Sequence, residues 1–304
     1  MYILIVIITP DILGCEVMKM GAIPDEEERK KVLGDFELKV SREYPVVKDN
    51  KLIQNVTRRK YELSVLEQKV LCYILSKIEP AENIASVPEY TYQFNIREFC
   101  RVCGIDYDNG KNYKNVKAAL DKLADNSFWL DYGEGEFRFQ WIVTPDIRRG
   151  QGIIEVEIPK KVMPYLYNLS EKFTTYQLYN ILALKGSYSI MLYELFKSYA
   201  WKKHIVLSIE DLRRYLGINE DKYREYKSFR RAVIERSITE IEKYTDLRVT
   251  FEPIRKGRYY VAMEFYIRVT EGAENWESYR RAMAEINGVK YIPGQLHLFE
   301  YEGR

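Results

Sequence analysis

Histidine is almost missing from this 304-residue chain: it has two, His204 and His297, far apart and without ligand spacing. A metal-dependent enzyme that nicks DNA with a tyrosine needs a nearby pair of histidines to hold its ion, and neither residue has such a partner. Cysteine is also scarce. Of Cys15, Cys72, Cys100 and Cys103, only the last two form a C-x-x-C, half of a zinc site, so the four read as buried free thiols of a cytosolic protein rather than a secreted disulfide framework. No Gly-x-x-x-x-Gly-Lys loop and no His-Glu-x-x-His occurs, which removes the common nucleotide and zinc enzymes. No catalytic residue, metal or cofactor is expected. The apolar stretch Tyr2–Thr9 is far shorter than the roughly 20 residues that cross a bilayer, and it lacks a basic flank and a small-residue cleavage site, so no membrane role is expected. Translation beginning at Met18 or Met20 would leave it an artefact of start-site choice.

Charge of one sign is lacking overall as well, with a net of +2, but not locally. Lys222–Arg258 holds 11 Lys/Arg against 6 Asp/Glu, whereas Glu271–Arg304 holds 4 against 6. A basic block before a mildly acidic tail points to one face that meets phosphates. The 26 tyrosines serve cores and polar interfaces equally well and decide nothing alone.

An internal repeat organises the chain. Phe94–Phe99 aligns with Leu207–Leu212 at an offset of 113 residues; at that offset Gly104-Ile105 falls on Gly217-Ile218, and Tyr113-Lys114 on Tyr226-Lys227. Each copy reads as an apolar helix (Leu63–Ile78, Tyr188–Trp201), then a short strand ending in a helix cap (Asn95, Ser208). A second helix stops at glycine (Gly104, Gly217), and a polar turn leads to a third helix (Tyr113–Asn126, Tyr226–Tyr244). A hairpin closes each copy: Trp129–Thr144 around Gly133-Glu134-Gly135, and Arg248–Val269 around Lys256-Gly257. This is the order of a winged helix, and the fold class is α+β with two tandem winged-helix domains. Between the copies Ile153–Ile158 reads as a strand, and Lys160–Leu169 and Thr175–Lys185 as connecting helices. The expected domains are 41–170 and 171–272, preceded by a flexible or partly artefactual segment 1–40 and followed by a tail 273–304. The loop Pro80–Gln93 has no assigned role.

Phe229, Val233, Ser237 and Ile241 recur at helical spacing and are expected to face the core. Lys227, Ser228, Arg231 and Glu235 then face mostly outward, with Arg230 and Arg236 at the edges. Arginine can pair with guanine through two hydrogen bonds; Lys222 and Arg224 in the preceding turn suit phosphates, and Arg255, Lys256 and Arg258 place three cations on a hairpin tip. Their convergence favours double-stranded DNA over a merely solvated face. In the first copy, Lys111, Lys114, Lys117 and Lys122 stand on the third helix without an arginine, and the hairpin tip Gly133–Glu136 is acidic. Lys114 and Lys117 are expected to make auxiliary contacts, and the domain to serve protein contact more than base reading.

Tyr226–Arg268 (YKSFRRAVIERSITEIEKYTDLRVTFEPIRKGRYYVAMEFYIR) closely resembles the second domain of the plasmid iteron-binding replication initiator (Rep) proteins. Ser189–Tyr199 (SIMLYELFKSY) resembles the first helix of that domain. Val46–Ile78, with Leu66-Glu67-Gln68, resembles the family's N-terminal opening. The resemblance implies a plasmid replication initiator that binds origin direct repeats as a monomer, helps open an adjacent AT-rich element and recruits host replication proteins, including the host initiator and helicase. It further implies a homodimer, through the first domain, that represses its own promoter at an inverted repeat. A winged-helix transcriptional regulator without initiator activity fits the same residues, as does a protein–protein scaffold. In the tail, Gln295, Leu296, Leu298 and Phe299 resemble the short Gln-Leu-x-Leu-Phe peptide that docks on the bacterial sliding clamp; a terminal strand packed on the second domain is the alternative.

Overall fold

The structure, a computed structural model, describes residues 26–59, 62–78, 90–107, 110–148, 151–167 and 172–293. The chain divides into two compact units, Met1–Arg42 with Ile292–Arg304, and Glu43–Tyr291. Helix α1 (Glu26–Glu43) occupies much of what composition placed in a flexible segment. Arg42 lies in its last turn, where a cation suits the helix dipole. The remaining elements belong to the second unit.

Its first half runs β1 (Pro45–Asp49), α2 (Asn50–Gln54), β2 (Val56–Arg59), α3 (Val65–Leu75), β3 (Thr91–Asn95), α4 (Ile96–Cys103), α5 (Gly110–Asp125), β4 (Ser127–Asp131), β5 (Glu136–Gln140), β6 (Val143–Arg148) and β7 (Ile153–Glu157). The second runs α6 (Pro164–Tyr167), β8 (Phe173–Gln177), α7 (Tyr179–Leu182), α8 (Ser187–Tyr199), a 3-10 turn (Ala200–Lys202), β9 (His204–Ser208) and α9 (Ile209–Tyr215). It continues through α10 (Tyr226–Phe229), a π-helical segment (Arg230–Glu235), α11 (Arg236–Tyr244), β10 (Leu247–Lys256), β11 (Tyr259–Val269) and α12 (Gly272–Ile286).

The repeat is physical. Asn95 caps α4 by accepting from Arg97 N at 2.8 Å, and Ser208 caps α9 by accepting from Asp211 N at 2.9 Å. Gly104 and Gly217 end the two segments with φ of 67° and 68°, the left-handed conformation that glycine adopts without a Cβ clash. At Gly104 a second constraint acts: an added Cβ would lie 1.8 Å from the Ile286 carbonyl oxygen at the end of α12. Tyr73, Phe94 and Phe99 pack edge-on in the first core at 5.1–5.4 Å for the Tyr73 contacts, and Phe196 meets Phe265 at 4.9 Å in the second. Each such buried aromatic contributes on the order of 2 kcal/mol.

Sheet order corrects the reading of the first hairpin. In the second half β9 pairs with β11, the return strand of β10–β11, giving β10-β11-β9. In the first half β3 pairs with β7, giving β3-β7-β6, while β4–β5 joins β2 in a separate sheet. The counterpart of β10–β11 is therefore β6–β7. The β4–β5 hairpin is an insertion that buries Phe128, Leu130, Phe137 and Phe139. The expected acidic wing tip at Gly133–Glu136 belongs to that insertion. The true wing turns between Arg148 and Ile153, and Arg148 pairs with Glu155 at 3.2 Å.

The connecting segment also differs from expectation. Among the described residues of the first expected helix only Pro164–Tyr167 is α-helical, and Phe173–Gln177 is a strand paired antiparallel with β1. Its Phe-Thr-Thr-Tyr-Gln alternates exposed and buried, and β-branched and aromatic residues suit that pleat. At this β1–β8 ladder Lys48 is 4% exposed and pairs with Glu194 of α8, which also accepts from Tyr176 Oη. Burial pushes the adjacent Cys72 thiol up to about 11.

Candidate nucleic-acid interface

The turn between α9 and the next helix is set by one residue. Arg213 donates from its guanidinium to the carbonyl oxygens of Asn219 (2.8 Å), Lys222 (2.7 Å) and Tyr223 (2.9 Å). Its Cζ also lies 5.7 Å from the Phe229 ring centroid. Tyr223 holds φ at 52°, a costly conformation for a residue with a side chain, and Arg213 binds its carbonyl directly. A charged donor shared by three carbonyls is among the stronger ways to fix a loop.

Tyr226–Tyr244 is continuous helix with a π-helical middle. Phe229, Val233, Ser237 and Ile241 are all buried, as their spacing predicts. Steps of four residues drift by about 40° each on an α-helix, so a strict four-residue stripe fits only where the coil widens. The π segment supplies that widening, and Ile234 and Ile238 fill the same face. It also brings residues five apart together: Arg230 donates from Nε to Glu235 Oε1 at 2.7 Å, and Nη2 lies 2.7 Å from the same oxygen. That contact holds the Arg230 guanidinium above its ordinary pKa. Lys227, Ser228 and Arg231 are exposed, and the two cations have no ion pair among the described residues.

The hairpin β10–β11 turns at Gly257, where φ is 62°. Lys256 and Arg258 stand exposed at the tip without an ion pair among the described residues. Arg255 lies over the Tyr260 ring, its Cζ 4.3 Å from the centroid, and donates to Tyr260 Oη. Tyr260 stacks in turn on Tyr226, the first residue of α10, with centroids 3.9 Å apart and planes 14° from parallel. Burial raises the Tyr226 hydroxyl, whose oxygen has no hydrogen-bond partner among the described residues. The stack joins the start of the helix to the wing, so the two basic groups of residues are held as one surface.

The turn residues are less free. Lys222 Nζ is 3.5 Å from Glu62 and Arg224 pairs with Asp221, although both side chains remain more than half exposed. In the first half, Lys114 and Lys117 are exposed on α5, while Lys122 pairs with Glu67 at 3.4 Å. Gln295, Leu296, Leu298 and Phe299 lie outside the described residues, as do His297, Cys15, Arg149 and most of Pro80–Gln93. Among the described residues no group of three or more His, Cys, Asp and Glu could hold a metal ion, and no helix is long and apolar enough to cross a membrane.

Comparison with known families matches residues 45–197 to "Initiator Replication protein, WH1" and residues 208–267 to "Initiator Rep protein, WH2". The chain belongs to this initiator replication protein family. Among its relatives, an uncharacterized 27.6 kDa protein of Escherichia coli is 22% identical over 214 residues, covering 67% of the initiator and 89% of that protein. The PI protein of Escherichia coli is 29% identical over 124 residues, covering 36% and 39%. Of solved structures, the Pi initiator protein in complex with iteron DNA matches with a TM-score of 0.62 at 21% identity, covering 76% of this initiator and 99% of that chain. At that identity the match speaks for the shared fold of two winged-helix domains.

Three residues that shape the initiator's surface escaped the reading of its sequence: Arg213, Glu235 and Tyr260. Glu235 was legible only as one more outward residue, because pairing at five residues does not belong to an α-helix. Tyr260 was one tyrosine among many. Arg213 sits in the last turn of α9, where a basic residue ordinarily answers the helix dipole and signals nothing further.

Proposed function

We propose that this initiator acts without catalysis, binding direct repeats of double-stranded DNA at a plasmid origin as a monomer. In this reading it helps open adjacent DNA, recruits host replication proteins and, as a dimer through its first domain, represses its own promoter at an inverted repeat. The site would comprise Lys222, Arg224, Lys227, Ser228, Arg230 and Arg231 with Arg255, Lys256 and Arg258, Lys114 and Lys117 adding contacts from the first domain. Gln295–Phe299 would offer the sliding clamp a docking peptide, and the protein would work in the cytosol beside its DNA.

The observation that carries the reading is the Tyr226–Tyr260 stack, which presents a cationic helix start and a cationic wing together. A helix in the major groove with a hairpin on the neighbouring backbone needs that arrangement. A solved neighbour of the same fold, the Pi initiator protein, is in complex with iteron DNA, which favours DNA repeats as the ligand.

Mobility-shift titration at several salt concentrations tests it. Arg231→Ala is expected to cost about 1–3 kcal/mol and relax discrimination at one base pair, whereas Arg258→Ala weakens all sequences alike and reduces the salt slope by about 0.9. If neither change alters repeat binding, the interface is misplaced. Nicking of supercoiled origin DNA in Mg²⁺ or Mn²⁺ would overturn the non-catalytic reading.

A further inference from the structure

The three-stranded sheet of the second domain has an open edge at the end away from the wing. Among the described residues, strand β9 pairs with β11 on one side only. Ile267 N donates to Lys203 O at 2.7 Å, which sets the alternation: residues 203, 205 and 207 bond to β11, while His204 and Val206 turn their backbone N–H and C=O groups outward. A hollow of about 610 Å³ follows this edge, lined by Trp201, Lys202 and residues 204–207. Trp201 is 59% exposed and Val206 51%, a large apolar investment for a surface turn and an edge strand.

Among the described residues three lysines stand beside the hollow, while Glu264 lies opposite Val206 in the β9–β11 ladder. Lys172 and Lys202 place their Nζ atoms 4.6 and 5.1 Å from the centroid of the Trp201 ring. Lys203 is exposed and holds φ at 63°, a left-handed backbone at a residue other than glycine that swings the chain from the 3-10 turn into β9. The Glu264 carboxylate lies 3.1 Å from His204 Nε2.

We propose that the β9 edge is a docking site for an extended, acidic segment of a partner protein, which adds a fourth strand, seats an apolar side chain beside Trp201 and Val206, and sets its carboxylates against Lys172, Lys202 and Lys203. Main-chain hydrogen bonds to residues 204 and 206 supply affinity, and the lysines and the tryptophan supply choice. A second copy of this chain is disfavoured as occupant, because two-fold pairing of β9 with itself would bring both sets of lysines together. From the wing end at Tyr259 to Tyr266, opposite His204, β11 spans about 24 Å at the usual strand rise. The edge therefore stays open while the helix and wing engage DNA, and its occupancy does not depend on the DNA-binding reading.

The test uses the full chain without DNA and a fluorescein-labelled eight-residue peptide alternating Glu with Val, with a Lys–Val alternate as control. The acidic peptide is expected to bind at least tenfold more tightly than the basic one and to lose tenfold or more with Lys202→Glu/Lys203→Glu and with Val206→Pro, which deletes one outward N–H on an edge strand. Amide exchange at His204 and Val206 is expected to slow at least tenfold on binding, that of Ile205 to stay as it was. Thermal melting checks that Val206→Pro folds; where it does not, the charge reversal decides. Equal binding of both peptides, no binding, or indifference to the variants overturns the proposal. So does self-association abolished by Trp201→Ala, or an oligothymidine that binds there in place of the peptide.

Discussion

Replacing Glu235 by glutamine separates two roles for the same carboxylate. In the structure Glu235 is the only acid that engages Arg230 among the described residues, through Nε and Nη2 at 2.7 Å, and both side chains are roughly two-fifths exposed or more. An exposed ion pair of this kind is worth about 0.2–1 kcal/mol after screening and the entropy of holding two long side chains. In the proposed DNA-bound state Arg230 must leave or share that partner, so the pair opposes binding by up to the same amount. Glu235→Gln is therefore expected to tighten repeat binding by about 1.4- to 5-fold. It should also steepen the dependence on salt by at most about one released counterion, a slope change near 0.9. Fluorescence anisotropy on a labelled repeat at four or more salt concentrations reads both quantities, with a shuffled duplex to measure discrimination. The opposite outcome, a loss of tenfold or more confined to the cognate repeat, would mean that Glu235 itself accepts from a base such as cytosine and would refute its role as a restraint on Arg230.

Tyr260→Ala is expected to lower repeat affinity about 3- to 10-fold through a loosened wing, while Tyr260→Phe keeps the stack on Tyr226 and stays near wild type; anisotropy distinguishes them. Glu194→Ala removes the carboxylate that faces the buried Lys48 ammonium and should cost about 3–5 kcal/mol in urea unfolding, whereas Lys48→Met with Glu194→Leu recovers most of it. Gly217→Ala should cost about 1–2 kcal/mol for the left-handed backbone alone. Gly104→Ala, in the same conformation but facing the Ile286 carbonyl, should cost clearly more in the same melt; equal costs would show that α12 moves away freely.

The caps and glycines of the two repeats were readable because each is a local demand: a side-chain oxygen two or three residues before an unsatisfied N–H, or a position where only glycine sits without strain. The same holds for the stripe Phe229, Val233, Ser237 and Ile241. What the sequence hid was pairing at a distance. The β4–β5 hairpin has a Gly-Glu-Gly tip and alternating aromatics, so locally it is a convincing wing. Only the partner of β3 decides the matter, and that partner lies across three intervening strands. Thr175, Tyr176 and Gln177 likewise read as opening a helix until β1 is placed beside them. The Tyr226–Tyr260 contact spans the whole of α11 and β10, and no period in the sequence announces it.

The cations of the second domain fall into two physical groups, and the difference bears on how a repeat would be told from other DNA. Lys227, Arg231, Lys256 and Arg258 have no internal ion pair among the described residues, so any phosphate lowers their free energy and none has to be released first. Arg224, Arg230 and Arg255 are already held, by Asp221, Glu235 and Tyr260. A held guanidinium exchanges partners with profit only where the new acceptor is better placed than the old, as two acceptors on one guanine edge can be and a passing phosphate is not. In the proposed mode Lys227, Lys256 and Arg258 thus set affinity for any duplex, Arg231 adds discrimination at its own base pair, and the held arginines make further binding depend on sequence. Freeing a held arginine should then raise non-specific binding more than specific binding, so that Glu235→Gln tightens the shuffled duplex at least as much as the repeat. If the repeat alone gained, the internal partners would be bystanders, and discrimination would rest on Arg231 and its neighbours.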